Sequence, residues 1–464
     1  MADDLTWLPA WQIRELIAKR EVSPVEVLDH YLGRIDEHDA VIKTFKHIDR
    51  DGARVQAVRA EKAVVDGEDL GSLHGIPVSV KEHVLVEGMP TTGPNVENTT
   101  ARWDDISVER LRKAGAIILG TNTMMGTGNG TLANYDWDSE ARNPWNPDHV
   151  PGWSSSGGAA ATVAGLIPIA LGTDGGGSTR LPAAYSGVVG VHPTQGRIPY
   201  VNYTQPRSPL GEANHRTARH GGTYGPISRD VRDSAIALQA MAGPDGRDTN
   251  CMGDVPDDYQ TDIDAGVEGL RFAWSDDFGF GSIYAVEESP RVIAAVRDAA
   301  KGLTSIGASV ETTDQEWEDF YPAMGVLGRA FSWNLDMRPD ADEYQAASEV
   351  RMRNMAKFYD LLADHELLLS PTSQLLARSV EHWDSSWTKD GAQYAHGTFA
   401  PTYTSLTHMF NWINWPAVTV PCGFVDGLPI GLQFIGKPGS EALIFRAAHT
   451  FQQAFPRPEQ PPIS

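Results

Sequence analysis

Cysteine is scarce: two in 464 residues, Cys251 and Cys422, far apart and outside any Cys-x-x-Cys pair. That excludes a disulfide framework and points to free thiols in a reducing, cytoplasmic setting. Basic residues are also under-represented, 38 Lys and Arg against 61 Asp and Glu, for a formal charge of −23. A surface of that sign repels a polyanion, so a nucleic-acid partner is not expected. No apolar run reaches the ~18 residues that a membrane helix needs, and Met1 to Leu5 lacks the basic start and apolar run of a secretory signal. What is present is a 41% hydrophobic content, enough for a substantial core. The expectation is a globular chain, monomeric or homodimeric, with a small-molecule substrate and neither membrane nor nucleic acid as partner.

Helical and extended patterns alternate, which favours an α/β class. Ser23-Pro24-Val25-Glu26 is a capping box ahead of a helix whose Leu28, Tyr31, Leu32 and Ile35 share one face. Two later units repeat a grammar without a fixed period. A helix from about Asp105 stops at Gly115 before Ala116-Ile117-Ile118-Leu119, and one opened by Ser289-Pro290 stops at Gly307 before Ala308-Ser309-Val310. Glycine there allows the left-handed turn into the next strand. Near the C-terminus, Ala417 to Val420 reads as a buried strand and Leu428 to Ile435 as an alternating one. A capped helix then runs from Ser440-Glu441 to Phe455. Residues 1–464 read as a single domain. The stretches 200–222 and 377–400 are long, polar and aromatic, the character of substrate-facing loops.

Three segments carry chemistry-bearing residues. In Gly75-Ile76-Pro77-Val78-Ser79-Val80-Lys81, alternation puts Lys81 at a strand end. Such a lysine is ordinarily a surface charge, although a desolvated one can serve as a base near neutral pH. Pro151-Gly152-Trp153-Ser154-Ser155-Ser156-Gly157-Gly158 and Gly172-Thr173-Asp174-Gly175-Gly176-Gly177-Ser178-Thr179-Arg180 are Gly/Ser runs separated by a short helical and a short extended pattern. Each is thus pinned at an element end, where serial N–H groups can converge on an anion. Glycines before a serine let the backbone approach a substrate carbonyl closely.

Taken in this order and spacing, the three segments resemble the amidase-signature family. Gly187 to Arg197, Gly225 to Asp233, Ser370-Pro371-Thr372 and Pro416 to Gly436 extend the similarity over about residues 5–455. The resemblance implies a large mixed, mostly parallel central sheet with helices on both faces. It also implies a serine hydrolase of carbon–nitrogen bonds that uses neither metal nor cofactor. The family's lysine falls on Lys81, its middle serine, which follows a cis peptide bond, on Ser154, and its nucleophile on Ser178. The implied oxyanion hole is built from the amides of Gly175, Gly176, Gly177 and Ser178. Ser155, Asp174 and Arg180 are supporting residues, the last two bracing the loop as a pair. This chain departs from the pattern at Glu82, Trp153, Thr179 and His192. Trp153 replaces a small residue before the middle serine, and with Met124 and Met125 it suggests an apolar pocket for an aryl or hydrophobic amide, anilide or carbamate.

Competing chemistries lack their motifs. No serine here satisfies Gly-x-Ser-x-Gly, no His-Glu-x-x-His occurs among fourteen histidines, and Ser386-Trp387-Thr388-Lys389 has no companion Lys-Thr-Gly. Gly126 to Gly130 lacks dinucleotide-fingerprint spacing. Two alternatives stay open: a glutaminase-type subunit of a tRNA-dependent transamidase, and a non-catalytic binding homologue. Against the first, Thr123-Met124-Met125-Gly126 stands where transamidase subunits usually carry Met-Asp-Glu-Phe.

Overall fold

The computed structural model describes residues 5–93, 96–125, 140–200, 222–330, 336, 338–380, 388–389, 392–393, 401–457 and 459–462. Most of the expected substrate-facing loops, 200–222 and 377–400, lie outside the described residues. Eleven described strands form one mixed sheet: β1 (Phe45–Ile48), β2 (Pro77–Lys81), β3 (Ile117–Asn122), β4 (Ile169–Asp174), β5 (Val189–His192), β6 (Thr223–Ser228), β7 (Arg271–Trp274), β8 (Ser309–Thr312), β9 (Leu367–Pro371), β10 (Ala417–Val425) and β11 (Leu428–Ile435). Their spatial order is β1-β3-β2-β4-β6-β5-β10-β11-β9-β7-β8.

The large mixed sheet is as expected, but its balance is not mostly parallel. Of the ten neighbouring pairs, β3–β2, β2–β4, β7–β8 and β7–β9 are parallel, and the other six are antiparallel. The physical reason is the way the strands are connected. The two helix-to-strand units recognised in the sequence lead into β3 and β8, each beside a parallel neighbour. The middle of the sheet is instead closed by antiparallel strands such as the β10–β11 hairpin, which turns at Asp426-Gly427.

Side-chain alternation explains why both faces need cover. Val78, Val80, Ile118, Ile169 and Leu171 join one hydrophobic cluster, which runs along the sheet to Phe272, Trp274, Leu367, Val418 and Phe434. Their chain neighbours Ile117, Leu119 and Ala170 fall into a second cluster with Leu28, Leu32, Ala159 and Ala161. Ala273, Leu368, Ala417 and Ile435 fall into a third with Phe278, Trp317, Phe358 and Trp415. A period of two in each strand therefore distributes its residues between opposite faces. The second cluster is closed by the helices Pro24–Ile42 and Ser156–Val163.

Local signals act where they were read. Ser23 and Glu26 form the reciprocal capping box, and Gly307 adopts a left-handed conformation (φ 93°) before β8. The C-terminal helix Glu441–Ala454 forms without the expected side-chain cap from Ser440. Among the described residues no helix is long and apolar enough to cross a membrane. One cap is invisible locally. The first turn of helix Ala10–Ala18 is satisfied by Asp233, whose carboxylate accepts from Ala10 N at 2.7 Å and Trp11 N at 2.9 Å. Asp233→Ala should lower stability by about 1–3 kcal/mol, read as a reduced urea midpoint, because a buried and a part-buried amide lose their acceptor.

Candidate active site

Lys81 ends β2, a fully buried strand, and is itself only 2% exposed. Its Nζ donates to Ser154 Oγ at 2.7 Å, Ser155 Oγ at 3.0 Å and Thr173 Oγ1 at 3.0 Å. Two of those hydroxyls come from the first Gly/Ser run, just before helix Ser156–Val163. The third comes from the end of β4, which neighbours β2 in the sheet. The surface-charge reading of Lys81 is thereby set aside.

Ser178 lies in the turn between β4 and helix Arg180–Ser186 and is buried. The two serine-bearing segments are tied through the backbone, Ser155 N donating to Ser178 O at 3.2 Å. Lys81 and Ser154 are hydrogen-bonded, whereas among the described residues no hydrogen bond joins Ser154 Oγ to Ser178 Oγ. No described peptide bond is cis. The cis bond implied before Ser154 is thus corrected to trans here, where the bulky Trp153 replaces a small residue.

The glycine turn is shaped by Asp174. Its carboxylate accepts from Gly177 N at 2.6 Å, Thr179 N at 3.2 Å and Thr179 Oγ1 at 2.9 Å. It also takes Arg180 Nε at 3.0 Å, Arg180 Nη2 at 3.1 Å and Asn411 Nδ2 at 2.9 Å. Gly177 N, counted among the expected oxyanion donors, is engaged by Asp174. The amides of Gly175, Gly176 and Ser178 have no acceptor among the described residues, and Gly175 is exposed. Two glycines of the turn have little room for a side chain. Gly177 has φ 121°, and a Cβ on Gly176 would meet the His408 ring at 3.1 Å.

Asp174 and Arg180 are both wholly buried. Burial, the largest single influence, would raise the Asp174 carboxyl, but the Arg180 charge, the hydrogen bonds from Arg180 and Asn411 and the other groups around it together hold it well below the usual carboxylate range. Arg180 is in turn bound by Thr407 O, Gln433 Oε1 and Asn411 Oδ1. His192 is pushed down to about 3 by burial and then by the Arg180 charge, so it stands neutral beside Thr223 Oγ1 at 2.9 Å.

Trp153 is buried, its ring 5.3 Å from that of Tyr403. Met124 and Met125 are buried just past the end of β3, and Met124 N donates to Glu82 Oε1 at 2.7 Å. Glu82 thus anchors the strand end beside the lysine. Thr173, Asn411, Gln433 and Thr407 escaped sequence reasoning. The last three come from segments more than 200 residues away from Arg180 and carry no local signal. A cavity of about 590 Å³ lined by Trp145, His149, Glu288, Arg378 and Leu428 contains none of the candidate residues.

Two stability experiments address this cluster. Arg180→Met leaves the Asp174 charge buried and unpaired, and should cost about 3–5 kcal/mol by urea unfolding. Acid should act through His192. The folded form stays neutral while the unfolded chain takes up a proton below its ordinary value of about 6.5. Stability is therefore lost as pH falls from about 6.5 toward about 3. The urea midpoint should fall over that window, with a shallower slope in His192→Gln.

The family model described as Amidase matches residues 26–330 and 318–445. An acylamidase from Rhodococcus erythropolis is 31% identical, the match covering 99% of this chain and 98% of the relative. A glutamyl-tRNA(Gln) amidotransferase subunit from Bacillus licheniformis is 29% identical over 96% of each. Among solved structures, the corresponding amidotransferase subunit from Thermotoga maritima superposes with a TM-score of 0.75 at 26% identity, covering 99% of this chain and 98% of its own. A bacterial aryl acylamidase shares the fold with a TM-score of 0.79 at 24% identity, covering 97% of each chain. With family match, full-length relatives and fold in agreement, the chain belongs to the amidase-signature family and is a hydrolase of carbon–nitrogen bonds.

Proposed function

We propose that this protein cleaves the amide of a small hydrophobic or aryl substrate, with anilides and carbamates included, through an acyl-enzyme on Ser178. The observation that carries the reading is the buried Lys81 amine 2.7 Å from Ser154 Oγ, on a segment tied by its backbone to Ser178. A serine hydroxyl is a weak nucleophile unless a base takes its proton. In its neutral form Lys81 accepts a proton from Ser154, which turns toward Ser178 and accepts one from it as Ser178 attacks the carbonyl. Apo geometries of this kind commonly tighten when substrate binds. The tetrahedral oxyanion meets the amides of Gly175, Gly176 and Ser178. Ser154 then protonates the leaving nitrogen and recovers its proton from Lys81. Water, activated by the same relay, releases the acid. No metal or cofactor enters this scheme.

The apolar preference rests on Trp153, Tyr403, Met124 and Met125, which are buried beside these segments, and on the similarity to an acylamidase. The second reading, a transamidase subunit, is favoured by the full-length similarity to the amidotransferase subunits. Thr123-Met124-Met125-Gly126 weighs against it.

Purified alone, the chain should hydrolyse an anilide or carbamate faster than a short aliphatic amide. A preference for the aliphatic amide sinks the apolar-pocket reading, and turnover only after partner subunits are added favours the transamidase. Ser178→Ala should lose at least about 10³-fold in kcat and escape labelling by a fluorophosphonate that marks the parent at Ser178. Lys81→Ala should lose at least about 10²-fold, and parent-like turnover by that variant would require another base. A parent chain that the probe leaves unmodified, and that turns over no amide, would point to a binding homologue.

A further inference from the structure

A neutral amine carries two N–H bonds and one lone pair, and only the lone pair can receive a proton. Lys81 Nζ has three hydroxyls within reach, those of Ser154, Ser155 and Thr173. The lone pair points at Ser154 when the two N–H bonds are donated to Ser155 and Thr173. Each of those hydroxyls must then send its own proton elsewhere. Ser155 does so, since its Oγ donates to Thr173 O at 3.2 Å. For Thr173 the group within reach is a ring nitrogen, His83 Nε2, at 3.3 Å from Oγ1.

We propose that His83, carrying its proton on Nδ1, is a positioning residue that accepts the Thr173 hydroxyl proton in a hydrogen bond and so directs the Lys81 lone pair onto Ser154. The assignment rests on the reading of Lys81 as base. It follows from donor counting. With the proton on Nε2 instead, the ring would donate to Thr173 Oγ1, whose own hydrogen would swing to Lys81 and occupy its lone pair. The two arrangements differ in which ring nitrogen carries the proton, and with it in the direction of the Lys81 lone pair. His83 sits two residues past Lys81 and is half-buried, so its ring can be altered without opening the core. Nothing in Lys81-Glu82-His83 signals that β4 brings Thr173 within reach of both side chains.

Glutamine separates this role from a structural one, since its Oε1 reaches the place of Nε2 and only accepts there, whereas lysine only donates. Kinetics of His83→Ala, His83→Gln and His83→Lys would be measured on the amide that the parent turns over fastest, with melting temperatures to verify folding. The expected result is a kcat lower by about tenfold in the alanine and lysine variants, with KM within about twofold of the parent, one hydrogen bond's worth of orientation. Glutamine should restore kcat to within about threefold. Parent-like kcat in His83→Ala, equal losses in His83→Gln and His83→Ala, or a change confined to KM would each overturn the assignment. If Lys81→Ala itself keeps the parent rate, the base reading fails instead.

Discussion

A carboxylate and a guanidinium that share no contact with solvent hold the rest of the site in place. Asp174 closes β4 and gathers the amides of Gly177 and Thr179, so the turn that carries Ser178 is folded around one charge. That charge persists in the interior because Arg180 lies against it in two hydrogen bonds. Arg180's remaining N–H groups are taken by Thr407, Asn411 and Gln433, from the far end of the chain. A buried pair of this kind adds little net stability over an apolar substitute, while losing one partner is severe. Its value is geometric: it fixes where the glycine amides point.

Lys81 is embedded by a different principle. It carries an amine at the end of a wholly buried strand, surrounded by hydroxyls that can accept or donate. Hydroxyls satisfy a neutral or a charged amine by rotating, which suits the role of base proposed for Lys81. The site thus contains two polar regimes, a rigid ionic one under Ser178 and an adaptable hydroxyl one around Lys81, joined where β4 supplies both Thr173 and Asp174.

Much of the architecture was legible in the chain. The capping box at Ser23, the glycine stops at Gly115 and Gly307, and the alternation through β11 are local, and local physics suffices to read them. Strand direction was less legible. Chain order does not say which strands will neighbour, and the centre of the sheet turned out antiparallel. A run of glycines likewise does not disclose that Gly177's amide will be engaged by a carboxylate three residues earlier.

By itself, the sequence determined the segment order, the candidate residues Lys81, Ser154 and Ser178, and the α/β class, because motifs and periodicities depend on covalent neighbours. Only the tertiary structure decided that Lys81 is buried among three hydroxyls and that Asn411 and Gln433 complete Arg180. It also decided that Asp233 caps a helix more than 200 residues away and that His83 reaches Thr173. Those are contacts between distant stretches of chain. They exist only once the sheet has chosen its neighbours, and no spacing along the backbone records that choice.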